Sequence, residues 1–136
     1  MSTRAQIQIE GSKVLLRLHG DGNPESVLPM LLPFLVEFHK KRGHDPDYLL
    51  ARFLQRWAND LDKTLVESGK VCGYEPNLFL SIGVGTEIHG DLAYLYRIRE
   101  NGTVEVKVPI DSEGRPKFKK VSEHLLGSTV LMHEAA

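Results

Sequence analysis

Residues 92–109 read LAYLYRIRENGTVEVKVP, and this stretch decides the fold class. Leu92, Tyr94, Tyr96 and Ile98 alternate with Ala93, Leu95, Arg97 and Arg99, the period-two pattern of a strand with one buried face. Asn101-Gly102 follows, a pair suited to the positive backbone angles of a tight hairpin turn. Val104, Val106 and Val108 then repeat the alternation until Pro109 closes it. The C-terminal half is therefore read as an antiparallel meander.

Upstream of it, Leu80, Ile82, Val84, Thr86 and Ile88 share one strand face, with Ser81, Gly83 and Gly85 opposite. Glycines inside a strand mark a bend, a bulge or a close approach. At the other end of the chain, Gln6-Ile7-Gln8-Ile9-Glu10 alternates, Gly11-Ser12 turns, and Val14, Leu16 and Leu18 line a second strand. Two alternating runs around a glycine turn predict a hairpin.

Between the hairpins lie two helical segments. Residues 27–38 are apolar on almost every side; Pro24 or Pro29 belongs in the first turn, and Pro33 should kink the helix or delay its start. One sheet face cannot cover such a helix, which predicts a sandwiched position or an oligomer interface. Gly43 ends it, and Asp45-Pro46 starts another. There Leu49, Leu50, Phe53, Leu54, Trp57, Ala58, Leu61 and Leu65 form one stripe, which makes Trp57 a core residue. Val121 to Leu126 is read as a short C-terminal helix of one or two turns, with a loose tail after Gly127. The expected order is β-β-α-α-β-β-β in a single α+β domain: an antiparallel sheet of about five strands with two helices on one face.

The chain has 136 residues, 41% hydrophobic and 26% charged, with formal net charge -1. That balance disfavours nucleic acid as a partner, because phosphate neutralisation calls for a basic excess. The single cysteine, Cys72, can form neither an internal disulfide nor a multi-cysteine metal site. No apolar run approaches the roughly 20 residues needed to cross a bilayer. A soluble cytoplasmic protein, homo-oligomeric through its first helix, is the expectation, with a protein partner allowed and no membrane partner.

The chemistry-bearing feature is a tripeptide that occurs twice, His19-Gly20-Asp21 and His89-Gly90-Asp91. Each follows a strand and sets an imidazole and a carboxylate two residues apart. Glu87 shares the strand face of His89. If the turns meet, His19, Asp21, Glu87, His89 and Asp91 can supply general acid and base groups. His19, Asp21, His89 and Asp91 could then hold a divalent metal, the one cofactor considered. As structure alone, glycine and aspartate are ordinary turn residues. A second surface is the Tyr94, Tyr96, Arg97 and Arg99 strand, suited to stacking and pairing with a nucleotide. His39 and His44 lack the helical spacing of a zinc pair, and no phosphate loop or nucleophile elbow occurs.

Thr3-Arg4-Ala5 precedes the first strand, His19-x-Asp21-Gly22-x-Pro24-x-x-Val27 leads into the first helix, and Gly90-Asp91-x-x-Tyr94-x-Tyr96 opens a late strand. Together these motifs resemble a group of small uncharacterised proteins from prokaryotes and their phages. The likeness spans Thr3 to Val108, and departs where the group has an aromatic at Asn23 and a glycine at Ser26. It implies no activity, cofactor or catalytic residue, and associates the chain with mobile elements. The leading expectation is thus a non-enzymatic binding protein. A metal-dependent or acid/base hydrolase built on the two turns is the alternative, and a nucleotide or nucleic-acid module the third reading.

Overall fold

The computed structural model describes residues 3–67, 82–110 and 117–127, with the side chains of 61–67 outside the description. Cys72, Leu80, Ser81, the Leu61 and Leu65 side chains and the tail after Gly127 lie outside it. The described elements are strands β1 (Ala5–Ile9) and β2 (Leu15–Leu18), helices α1 (Pro24–Arg42) and α2 (Pro46–Glu67), and strands β3 (Ile82–Gly85), β4 (Tyr94–Ile98), β5 (Val104–Ile110) and β6 (Lys117–His124). The α+β class and the two helices stand as the sequence predicted. Among the described residues no helix is long and apolar enough to cross a membrane.

The sheet has six strands in the order β3-β2-β1-β4-β5-β6, and it is mixed. β1 lies at its middle, antiparallel to β2 and parallel to β4, with Ile7 opposite both Leu16 and Tyr96. That parallel pair corrects the expected all-antiparallel sheet. It arises because β3 pairs with β2 while β4 takes the other side of β1, so residues 86–93 must cross two strands. β3 itself stops at Gly85, short of the expected Thr86 and Ile88.

β6 corrects the expected C-terminal helix. Its pairing with β5 slips between Val106 and Lys107, where Ser122 and Lys120 are the partners and Val121 is left over. A bulge of this kind breaks the two-residue period, so no alternation is visible in Lys-Phe-Lys-Lys-Val-Ser-Glu-His. β5 likewise runs through Pro109, whose partner is Phe118, rather than ending there. The hairpin at Asn101-Gly102 forms as expected: Gly102 takes φ +87°, its N–H donates to Arg99 O (2.8 Å), and Thr103 N–H donates to Asn101 Oδ1 (3.0 Å).

Both helices pack on one face. Ala5, Ile7, Ile9, Leu16, Leu18, Tyr96, Ile98, Val104 and Val106 supply the sheet side of the core; Val27, Leu31, Leu35, Leu49, Phe53 and Trp57 are among its helix side. α1 runs unbroken from Pro24, with Pro29 and Pro33 inside it on the exposed stripe. Their missing N–H groups leave the carbonyls one turn earlier facing water, where the loss is cheapest. Phe34 stacks on Phe38 and meets Phe53 of α2 edge-on, with centroids 5.8 and 5.3 Å apart. Sheet and α2 thus cover α1 from two sides within one chain, which takes away the ground for expecting an oligomer through this helix.

The ends of the layers are tied by side chains. At the α1–α2 turn, Gly43 N–H donates to His39 O (2.9 Å) and His44 Nε2 donates to Glu10 O (2.6 Å), fixing the helices to the end of β1. Burial and the neighbouring His44 ring push the His39 imidazole below its ordinary value.

Candidate functional site

Among the described residues the opposite face of the sheet carries no helix, and the strand register places the two His-Gly-Asp turns. Leu18 at the end of β2 and Tyr94 at the start of β4 are both partners of Ala5. The turn after β2 and the turn before β4 therefore lie at the same end of the sheet. They are anchored by different partners.

The first turn is anchored at the residue after it, Gly22, on the helix side. Gly22 N–H donates to Thr3 O (3.0 Å), and Tyr96 Oη donates to Gly22 O (2.6 Å) from beneath the helices. A side chain at Gly22 would have its Cβ 2.6 Å from Ala5 Cβ and 2.8 Å from Thr3 O, so only glycine fits. Asp21 sits at φ +56°, a left-handed conformation that aspartate tolerates better than most residues. Among the described residues His19 and Asp21 have no hydrogen-bond or ion-pair partner.

The second turn is laid over the open face. Gln6, fully buried, donates from Nε2 to Glu87 O (2.9 Å) and accepts at Oε1 from His89 N–H (2.9 Å). Arg17 Nη1 donates to His89 Nε2 (3.3 Å), which leaves that nitrogen as the acceptor. Arg4 Nη1 pairs with Asp91 Oδ2 at 2.8 Å, and Ala93 N–H donates to Arg4 O (2.9 Å). Leu92, expected on the strand face with Tyr94 and Tyr96, instead packs with Leu15, Leu95 and Phe118 on the open face. The crossing segment is thus pinned by hydrogen bonds, an ion pair and a small apolar cluster.

Of the five acid/base candidates, His89 and Asp91 brace this segment, Glu87 contributes its carbonyl, and His19 and Asp21 belong to the other turn. Among the described residues no group of three or more His, Cys, Asp and Glu side chains is gathered as a metal would need. The second candidate surface also divides. Tyr94 and Tyr96 point into the helix-side core, their rings 6.3 Å apart, and burial pushes the Tyr96 phenol far above its ordinary value of 10.0. They offer no stacking platform to a solvent-borne base. Arg97 and Arg99 emerge on the open face.

That face carries a chain of opposite charges towards its far end. Arg99 Nε bonds Glu10 Oε2 at 2.6 Å; Arg99 and Lys120 each reach Glu105, at 3.7 and 3.8 Å; and Lys120 reaches Glu123 at 3.6 Å. The Arg99 guanidinium and the Glu100 N–H hold the Glu10 carboxyl below its usual range. Beside this chain Glu10, Arg99, Glu100, Asn101, Thr103 and Glu123 line a shallow pocket of about 480 Å³.

Gln6 is the residue that sequence reasoning missed. The alternation Gln-Ile-Gln-Ile assigns it to a solvated face, and nothing local signals the segment that covers it. Comparisons with family models, with curated proteins and with solved structures gave no match. The likeness carried by the Thr-Arg-Ala start and the two turns is left where the motifs put it.

Proposed function

We propose that this chain is a non-enzymatic binding protein whose working surface is the sheet face opposite α1 and α2. The observation that carries this reading is the use to which the acid/base candidates are put. Asp91 and the second-turn backbone are engaged in holding residues 86–93 against β1, while the turn of His19 and Asp21 is anchored separately, through Gly22 to Thr3. General acid/base catalysis needs its groups within hydrogen-bonding reach of one reacting atom. The open face, by contrast, presents ordered side chains on rigid strands, some of them uncommitted to any neighbour. Binding sites built on rigid elements hold their geometry without the cost of ordering a loop.

Two arms test the reading. Hydrolysis of p-nitrophenyl acetate and p-nitrophenyl phosphate, with Mg²⁺, Mn²⁺ or Zn²⁺ present, is expected to be the same for the natural chain and for His19→Ala/His89→Ala. Turnover that falls with the double substitution contradicts it. In parallel, the natural chain, the open-face variant Arg97→Glu/Lys107→Glu and the helix-side variant Lys41→Glu are used as baits. A protein retained by the first and third and lost by the second supports the reading. Retention by all three alike contradicts it.

A further inference from the structure

Arginines in this fold have partners. Arg4 pairs with Asp91, Arg42 with Asp45, Arg56 with Asp60 and Arg99 with Glu10, while Arg52 donates to Gln55 and Arg17 to His89. Arg97 is the exception among the described residues: its Nε is buried and has no hydrogen-bond partner, and no ion pair reaches its guanidinium. Its Nη groups, equally unbonded but not buried, are the donors left open to an external acceptor.

The neighbours of Arg97 make that acceptor an anion. In register, Gln8 stands beside it on β1 and Glu105 on β5. Both oxygens of Glu105 are already engaged, one by Arg99 and the other by Lys120. Lys107 follows Glu105 on the same face, a diagonal cross-strand neighbour at roughly 7–8 Å by sheet geometry, and no partner is bonded to it. Leu15 and Leu95, both almost fully buried, form the apolar floor around the position. An ionised ligand group set there would meet a guanidinium edge, an ammonium and a carboxamide over a surface that screens poorly.

We propose that Arg97 anchors a subsite for an oxyanion, a carboxylate or phosphate group of the ligand. The two Nη groups of Arg97 grip two of its oxygens side by side, Lys107 supplies a second positive charge, and Gln8 donates from its amide. The fork geometry suits a planar or tetrahedral oxyanion and is not reproduced by a lysine. The subsite rests on the reading of the open face as a binding surface, and adds to it the chemical class of what is bound.

The experiment follows the arginine Nε–Hε resonances of the whole chain during titrations with sodium phosphate and with sodium acetate, ionic strength held constant with chloride. The Arg97 resonance is expected to shift saturably while that of Arg99, locked to Glu10, stays in place. Arg97→Lys is expected to raise the apparent Kd at least tenfold, and Lys107→Gln several-fold, with the backbone amide spectrum of each variant otherwise preserved. Saturation with phosphate alone assigns a phosphate-bearing ligand, with acetate alone a carboxylate-bearing one, and with both the shared chemistry; each supports the subsite. Absence of a saturable shift, equal shifts at all arginines, or affinity unchanged in Arg97→Lys overturns it. Those outcomes leave the hydrolysis and bait arms above untouched, so the subsite and the binding-protein reading fail separately.

Discussion

Tyr96→Ala is expected to destabilise the domain by about 3–5 kcal/mol, the range for removing a fully buried aromatic ring. Tyr96 has no exposed surface, packs between β1 and the helices, and sends its hydroxyl to Gly22 O at 2.6 Å. Tyr96→Phe separates the two contributions. It keeps the ring and leaves the Gly22 carbonyl without its donor, an expected loss of about 1–3 kcal/mol. Urea denaturation measures both. The pH dependence supplies an independent sign. Burial raises the folded-state value of this phenol above its ordinary 10.0, so the neutral form is favoured in the folded chain. Its contribution is fully present below pH 10 and is lost as the pH rises beyond it. The natural chain is expected to lose stability in that alkaline window, and Tyr96→Phe to lose less.

Gln6→Leu is expected to cost about 2–4 kcal/mol, because two backbone groups lose their partners at once while the volume is nearly kept. Those groups are Glu87 O and His89 N–H, both bonded to the one carboxamide. The effect should be local as well as global. Amide hydrogen exchange over residues 86–93 is expected to accelerate in the variant far more than exchange in β5, which does not depend on Gln6 for its ladder. Uniform acceleration across the sheet would instead assign Gln6 a general packing role.

These two residues mark the boundary of what the sequence made legible. Tyr96 was readable: the alternation from Tyr94 to Ile98 set it on an apolar face, and the structure buries it there. Helix periodicity in the same way identified Phe53 and Trp57 as core. Gln6 was not readable, because the segment that buries it is 81 residues away and contains no apolar run. The parallel pairing of β1 with β4 was hidden for the same reason, since strand order is settled by contacts between distant parts of the chain. β6 was hidden locally, by a bulge that interrupts its period. For the candidate site, the sequence located both turns but not the residues that anchor them. Among those is Gln6, whose side chain points to the opposite side of the strand from that of its neighbour Ala5. Arg97 was identified as a binding candidate alongside two tyrosines, and alternation by itself already sets Arg97 on the other face from them.

The two His-Gly-Asp turns are anchored separately and do not form one site. A titration with Zn²⁺ read at the imidazole ring protons of His19 and His89 tests this most directly. The two rings are expected not to share a saturable transition. Parallel shifts of both, reaching an end point at one equivalent of metal, would contradict it.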